Sequence, residues 1–148
     1  MHEILRPTQE EAERAIDQLE LGPLLAACRR ANRWSEQDAE TAETWYRQHL
    51  KLCFRYPDQP IAALSKKADL LWHHHIVDTF LYRDDCNRIF GTFLNHVPLY
   101  ERPTPDDSRA FKTTIELYRR EFGEPPPDIE ETSLFSPAPP PGPPPPIP

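Results

Sequence analysis

Apolar residues recur along most of this chain with the period of a helix, and the stretches that hold the period define the expected elements. Thr8-Gln-Glu-Glu11 has the spacing of a capping box, and Ala12, Ala15, Ile16 and Leu19 follow it at i, i+3, i+4 and i+7. A first helix is expected over about residues 9–20, ended by Gly22-Pro23. Leu24 to Ala31 predicts a short apolar helix closed by Arg29 and Arg30, whose charges suit a helix C-terminus. Ser35 caps the longest amphipathic stretch, about 36–55, with Trp34 packing across its start. Its inward stripe is Ala42, Trp45, Tyr46, His49, Leu50, Cys53 and Phe54. Tyr56-Pro57-Asp-Gln-Pro60 stops it, because proline lacks an amide and drives its predecessor out of the α region.

The helical pattern resumes at Ile61, with Ser65 or Asp69 near an N-terminus, and runs to about Tyr82. Asp78 and Thr79 are themselves capable of capping, so this stretch predicts either one helix with an irregularity there or two helices meeting at it. Gly91 fits a left-handed C-cap. Asn95-His96-Val-Pro98 and Arg102-Pro-Thr-Pro105 read as loop, and Asp106-Asp107-Ser108 as the cap of a last helix with face Phe111, Thr114, Ile115, Tyr118 and Phe122, ended by Gly123. No stretch sustains period-two alternation. The expected fold is all-α, a compact orthogonal bundle of about five or six helices with a proline-rich C-terminal tail.

Composition divides the chain in two. Of its 19 prolines, twelve lie in residues 125–148, which can form neither helix nor ladder and favour polyproline II. Residues 1–124 are therefore expected as the helical domain and 125–148 as an extended tail, with Leu134 and Phe135 as anchors onto the domain. The net charge of −7 opposes a phosphate backbone, which argues against nucleic acid. Three widely spaced cysteines, Cys28, Cys53 and Cys86, argue for reduced thiols, and no apolar run is long enough to span a membrane. The expectation is a cytoplasmic protein without a membrane partner, whose tail is either a disordered or semi-rigid extension or a protein-binding segment for an aromatic-lined groove.

The candidate chemistry is concentrated between Asp69 and His96, which holds four of the six histidines. A helix turns 100° per residue, so His73 and His75 cannot face one point on a regular helix. Two faces result. Asp69 and His73 are one turn apart, a spacing from which the carboxylate can share a metal with the imidazole or hold the imidazole's second nitrogen. Trp72, His75, Thr79, Tyr82 and Cys86 form a second stripe, and an irregular helix near 75–79 would merge the two. His96, in a loop, can close onto either face. The candidate ligands are Asp69, His73, His75 and His96, with Tyr82 as a proton donor and Cys86 as a catalytic thiol. Imidazole plus carboxylate favours zinc or iron, and addition of Cys86 favours zinc or copper. His74 is expected to face solvent, and Cys28, Cys53 and His49 to be packing residues.

These residues bear a resemblance. Tyr46-Arg-Gln-His-Leu50, Tyr56-Pro57, Asp69-Leu-Leu-Trp72-His73-His-His75, Tyr82, Cys86, Phe90-Gly91, His96-Val-Pro98 and Tyr118-Arg-Arg-Glu-Phe122-Gly123 resemble the glycine-rich domain-containing protein-like family over about residues 45–127. The resemblance implies that Asp69, Trp72, His73, His75, Tyr82, Cys86, Gly91 and His96 are pattern positions and His74 a variable one. It implies no reaction, and this chain, with four glycines, lacks the glycine-rich region of the plant members.

Two functions of different kinds follow. One is a metal-dependent catalyst using the His/Asp/Cys site. The other is an interaction module acting through its helical surface and tail.

Overall fold

The chain winds from α1 (Gln9–Asp17) through α2 (Gly22–Asn32), α3 (Glu36–Arg55), α4 (Lys66–Val77) and α5 (Thr79–Phe90) to α6 (Pro105–Phe122), in a computed structural model that describes residues 6–97 and 104–129. Among the described residues there is no strand, only an isolated antiparallel bridge between Ser65 and Ile129. The fold is all-α, as the periodicity requires.

Helix α3 is the spine, and its closest partner is α4. It begins with Ser35 accepting from the Asp38 amide while the Asp38 carboxylate accepts from the Ser35 amide. Ala42, Trp45, Tyr46, His49, Leu50 and Phe54 are buried as the stripe predicts, and Cys53 is half-buried. Each large apolar side chain on that stripe contributes about 1.5–3 kcal/mol on leaving water. Arg47, on the flank of α3, donates to the carbonyls of Ile16 and Leu19 and so satisfies the open C-terminal end of α1.

Two boundaries differ from the sequence expectation. Gly22-Pro23 does not end α1. It opens α2, where proline at the first turn loses no hydrogen bond and already has a helical φ. The last helix begins earlier than Asp106. Thr104 is its cap, with Asp107 completing a capping box and Pro105 in the first turn, so the proline density taken for loop is a helix start. The stretch from Ile61 becomes helical at Lys66, with Ser65, one of the two expected starts, as its cap.

At Asp78 the chain breaks into two helices. Asp78 leaves the α region with φ −82° and ψ 77°, ends α4 through its amide, and caps α5 by accepting from Leu81. Gly91 ends α5 at φ 71°, a conformation that costs a residue with a Cβ.

The start of the proline-rich region is docked. Pro126 is buried, and Asp128 Oδ2 accepts from Ser65 Oγ and from the Lys67 amide, both at 3.0 Å. Asp128 and Ser65 thus satisfy the Lys67 and Ala68 amides in the first turn of α4. The remainder of the tail, with Leu134 and Phe135, lies outside the described residues, as do His2 and Pro98.

Candidate functional site

Helix α4 carries three consecutive histidines, and the 100° step sends each to a different environment. His73 is exposed, His74 is half-buried with Nδ1 3.0 Å from the Leu70 carbonyl, and His75 is buried. The expected solvent-facing histidine, His74, is thus more sheltered than His73.

Asp69, His73 and His96 converge. His96 Nε2 lies 2.8 Å from Asp69 Oδ1 and 3.0 Å from His73 Nε2, and His73 Nε2 lies 3.4 Å from Asp69 Oδ2. The i, i+4 spacing on α4 sets the Asp69/His73 pair, and His96 closes on it from the loop after α5. The site is open on one side: the side chain of His73 is 49% exposed and that of His96 15%. Trp72 backs it, its ring 4.1 Å from that of His96 and 4.6 Å from that of His49.

Neutral imidazoles meet these contacts only by sharing one proton. A neutral imidazole carries one hydrogen, and each Nε2 here faces two neighbours. If His96 Nε2 is protonated it serves Asp69, and its contact with His73 becomes hydrogen against hydrogen or one shared hydrogen. If His73 donates to His96, the bare His96 nitrogen meets a carboxylate oxygen at 2.8 Å. One cation in contact with all three lone pairs removes the conflict. Metal bonds of about 2.1 Å separate neighbouring donor atoms by about 3.0 Å at right angles and about 3.4 Å at the tetrahedral angle. The observed contacts run from 2.8 to 3.4 Å, close to that range, and the three residues form a group whose ligand atoms all lie within 4.8 Å of one another.

The fourth expected ligand, His75, is elsewhere. Its Nδ1 is 2.6 Å from Tyr46 Oη and its Nε2 2.8 Å from Asp85 Oδ2, so the tautomer follows: Nε2–H donates to the carboxylate and the phenol donates to Nδ1. Tyr46, His75 and Asp85 are all buried. Burial lowers the His75 pKa despite Asp85 and raises that of Tyr46 far above the ordinary phenol. With both nitrogens engaged, His75 has no lone pair to offer a metal.

Tyr82 and Cys86 lie on the buried stripe with Trp72 and His75, while Thr79 is exposed. Tyr82 Oη accepts from Trp72 Nε1 at 2.9 Å and donates to the Leu94 carbonyl at 2.5 Å. Burial raises the pKa of Tyr82 and that of the Cys86 thiol, against the opposing pull of hydrogen bonds from the Leu94 backbone and Tyr82 on Cys86. A thiol so held is protonated at neutral pH and is a poor nucleophile or metal ligand. The converging ligand set therefore contains no sulfur. Cys28, Cys53 and Cys86 are free, and burial pushes Cys28 up to about 11 and Cys53 to about 12.

Two residues escaped the sequence reading. Asp85 sits at i, i+1, i+4 with Cys86 and Ile89 on the apolar side of α5, and a carboxylate on an apolar stripe signals a buried donor nearby. His49, read as packing, is buried and driven down to about 4 by burial. Its Nε2 is 3.5 Å from Cys53 Sγ, and its Nδ1 has no partner among the described residues.

A family model matches residues 11–117, which takes in α1 to α5 and most of α6. The chain belongs to the UCP032817-like family. This corrects the resemblance to the glycine-rich domain-containing proteins. That likeness rested on a short Asp-x-x-Trp-His-x-His signature and its downstream residues, a pattern with few fixed positions, whereas the family match begins 58 residues before Asp69 and takes in the helices that the signature ignores. No curated protein and no solved structure matches the chain. Among the described residues no helix is long and apolar enough to cross a membrane.

Proposed function

We propose that this UCP032817-like protein is a metal-dependent catalyst that holds one divalent transition metal on Asp69, His73 and His96. The observation that carries the reading is the meeting of two imidazole nitrogens and a carboxylate at 2.8, 3.0 and 3.4 Å, on a side of the protein where His73 is half-exposed. Three protein ligands with an exposed side match a catalytic rather than a structural site, because structural zinc sites close with a fourth protein ligand. Two nitrogens and one oxygen suit zinc or ferrous iron. The metal would acidify a bound water to near neutrality or polarise a bound oxygen. Tyr82 and Cys86 are not assigned catalytic roles, since both are buried and face Leu94. The three free thiols favour a reducing, cytoplasmic setting.

Elemental analysis of the full chain purified without a histidine tag, before and after loading with zinc or ferrous iron, tests this. Close to one equivalent is expected in the wild type and almost none in His96→Ala. Less than about a tenth of an equivalent in the loaded wild type would end the proposal, since ligands of this kind hold zinc tightly at neutral pH.

A second reading, that the proline-rich tail binds a protein partner, draws on the docking of Asp128 and Ile129 against Ser65, which fixes the point from which the tail departs. Pull-down with the full chain and with a chain ending at residue 129 tests it. The same partners in both would reject it.

A further inference from the structure

We infer that Tyr82 is the positioning residue of His96: it holds the loop after α5 so that the His96 nitrogen meets Asp69 and His73. The inference rests on the reading of those three residues as a metal site, and it gives Tyr82 a role other than proton donation.

The argument starts from what holds the loop. Residues 93–97 belong to no helix or strand, and His96 is the ligand they carry. Asp69 and His73, by contrast, are fixed by the backbone of α4. A ligand on irregular backbone needs side chains to set its position, or ordering it costs binding free energy. Tyr82 supplies two such contacts from the rigid frame of α5. Its Oη donates to the Leu94 carbonyl, two residues before His96, and its ring meets the Phe93 ring edge-on at 5.2 Å. Trp72 closes the circuit, because the indole that donates to Tyr82 Oη at 2.9 Å also stacks on His96 at 4.1 Å. One phenol therefore orients both the backbone that carries His96 and the ring on which His96 rests. Tyr82 is 1% exposed, so this oxygen has no competing solvent partner.

Tyr82→Phe removes the oxygen and keeps the ring. Tyr46→Phe is the control, since it removes a buried hydroxyl of similar burial whose partner is His75 and not the loop. In metal-free protein the His96 ring lies 4.1 Å from the indole of Trp72, so its ring protons are expected to resonate away from those of a solvated histidine. They are expected to move toward the solvated position in Tyr82→Phe and to stay in Tyr46→Phe. Unchanged His96 signals in Tyr82→Phe, or equal movement in both variants, would overturn the inference.

Cobalt(II) titration gives the second readout. Loss of such an outer partner weakens metal binding by about 10–100-fold, so Tyr82→Phe should bind cobalt at least about tenfold more weakly than the wild type and than Tyr46→Phe. Equal affinity in Tyr82→Phe and the wild type would refute the positioning role. A wild type that binds no cobalt would refute the metal site itself, while the His96 signals would still decide what Tyr82 does.

Discussion

Two histidines two residues apart on one helix meet opposite fates. His75 faces inward and gives both nitrogens to protein partners, Tyr46 and Asp85, in a buried chain of hydrogen bonds. His73 faces outward and shares with His96 a single carboxylate, His96 on one oxygen and His73 on the other, with the two Nε2 atoms 3.0 Å apart. The first arrangement is complete as protein. The second leaves lone pairs that a cation could engage, as a group of three ligand-bearing side chains within 4.8 Å of one another. Metal competence thus depends less on how many histidines a stretch contains than on whether their lone pairs are already in use, and helical geometry decides that at each position.

The comparison is broken most forcefully from the buried side. His75→Ala would leave the Asp85 carboxylate, with 8% of its side chain exposed, without its donor, and the Tyr46 hydroxyl without its acceptor. Arg88, 3.9 Å away and largely exposed, compensates weakly. Loss of a partner from a buried charged group costs about 3 kcal/mol or more, and urea unfolding should show a loss of that order. A loss under about 1 kcal/mol would mean that the chain is not the structural element described here.

The exposed side should behave in the opposite way. His73→Ala removes a half-exposed ring and should change the stability of the metal-free protein by no more than about 0.5 kcal/mol. In the wild type, zinc at a hundredfold excess over Kd should add about 2.7 kcal/mol, reversed by a chelator, and in His73→Ala this increment should vanish. Equal stabilisation of both proteins by zinc would place the binding elsewhere. An increment abolished by His75→Ala in protein that remains folded would merge the two regions that the geometry separates.

Much of this division was readable from spacing alone. The Asp69/His73 face and the Trp72/His75/Tyr82/Cys86 stripe follow from 100° per residue, and α3 was legible from end to end because its caps, its stripe and the prolines beyond it agree. What spacing could not supply was partners distant in sequence. Tyr46 meets His75 across 29 residues, and His96 meets Asp69 across 27, and nothing local specifies either contact. For that reason His75 stood beside His73 as a ligand, and Tyr82, whose Oη reaches the Leu94 carbonyl, stood as a proton donor. Thr104 was hidden differently. Prolines on both sides of it signalled a loop, although Pro105 is well placed in the first turn of a helix.

The smallest expected effect concerns the frame that presents Asp69. Lys67, in the first turn of α4, pairs with Asp38 in the first turn of α3 at 2.8 Å. That hydrogen bond, and then those from Ser35, hold the Asp38 carboxyl down to about 2, against about 3.9 for a free aspartate. A group whose folded pKa is depressed adds stability that is fully present above its unfolded pKa and is lost as the pH falls through the folded one. Asp38→Asn should therefore lower the unfolding midpoint at pH 7 by a small amount, and the gap to the wild type should close between about pH 4 and about pH 2. The pair is partly exposed, so added salt should narrow the gap at neutral pH as well. His75 and its buried partners are shielded from that screening, and the loss in His75→Ala should be nearly independent of salt. A gap in Asp38→Asn that persists unchanged at pH 2 would assign the effect to the cap geometry at Ser35 and remove the ion pair from the account of how α4 is held.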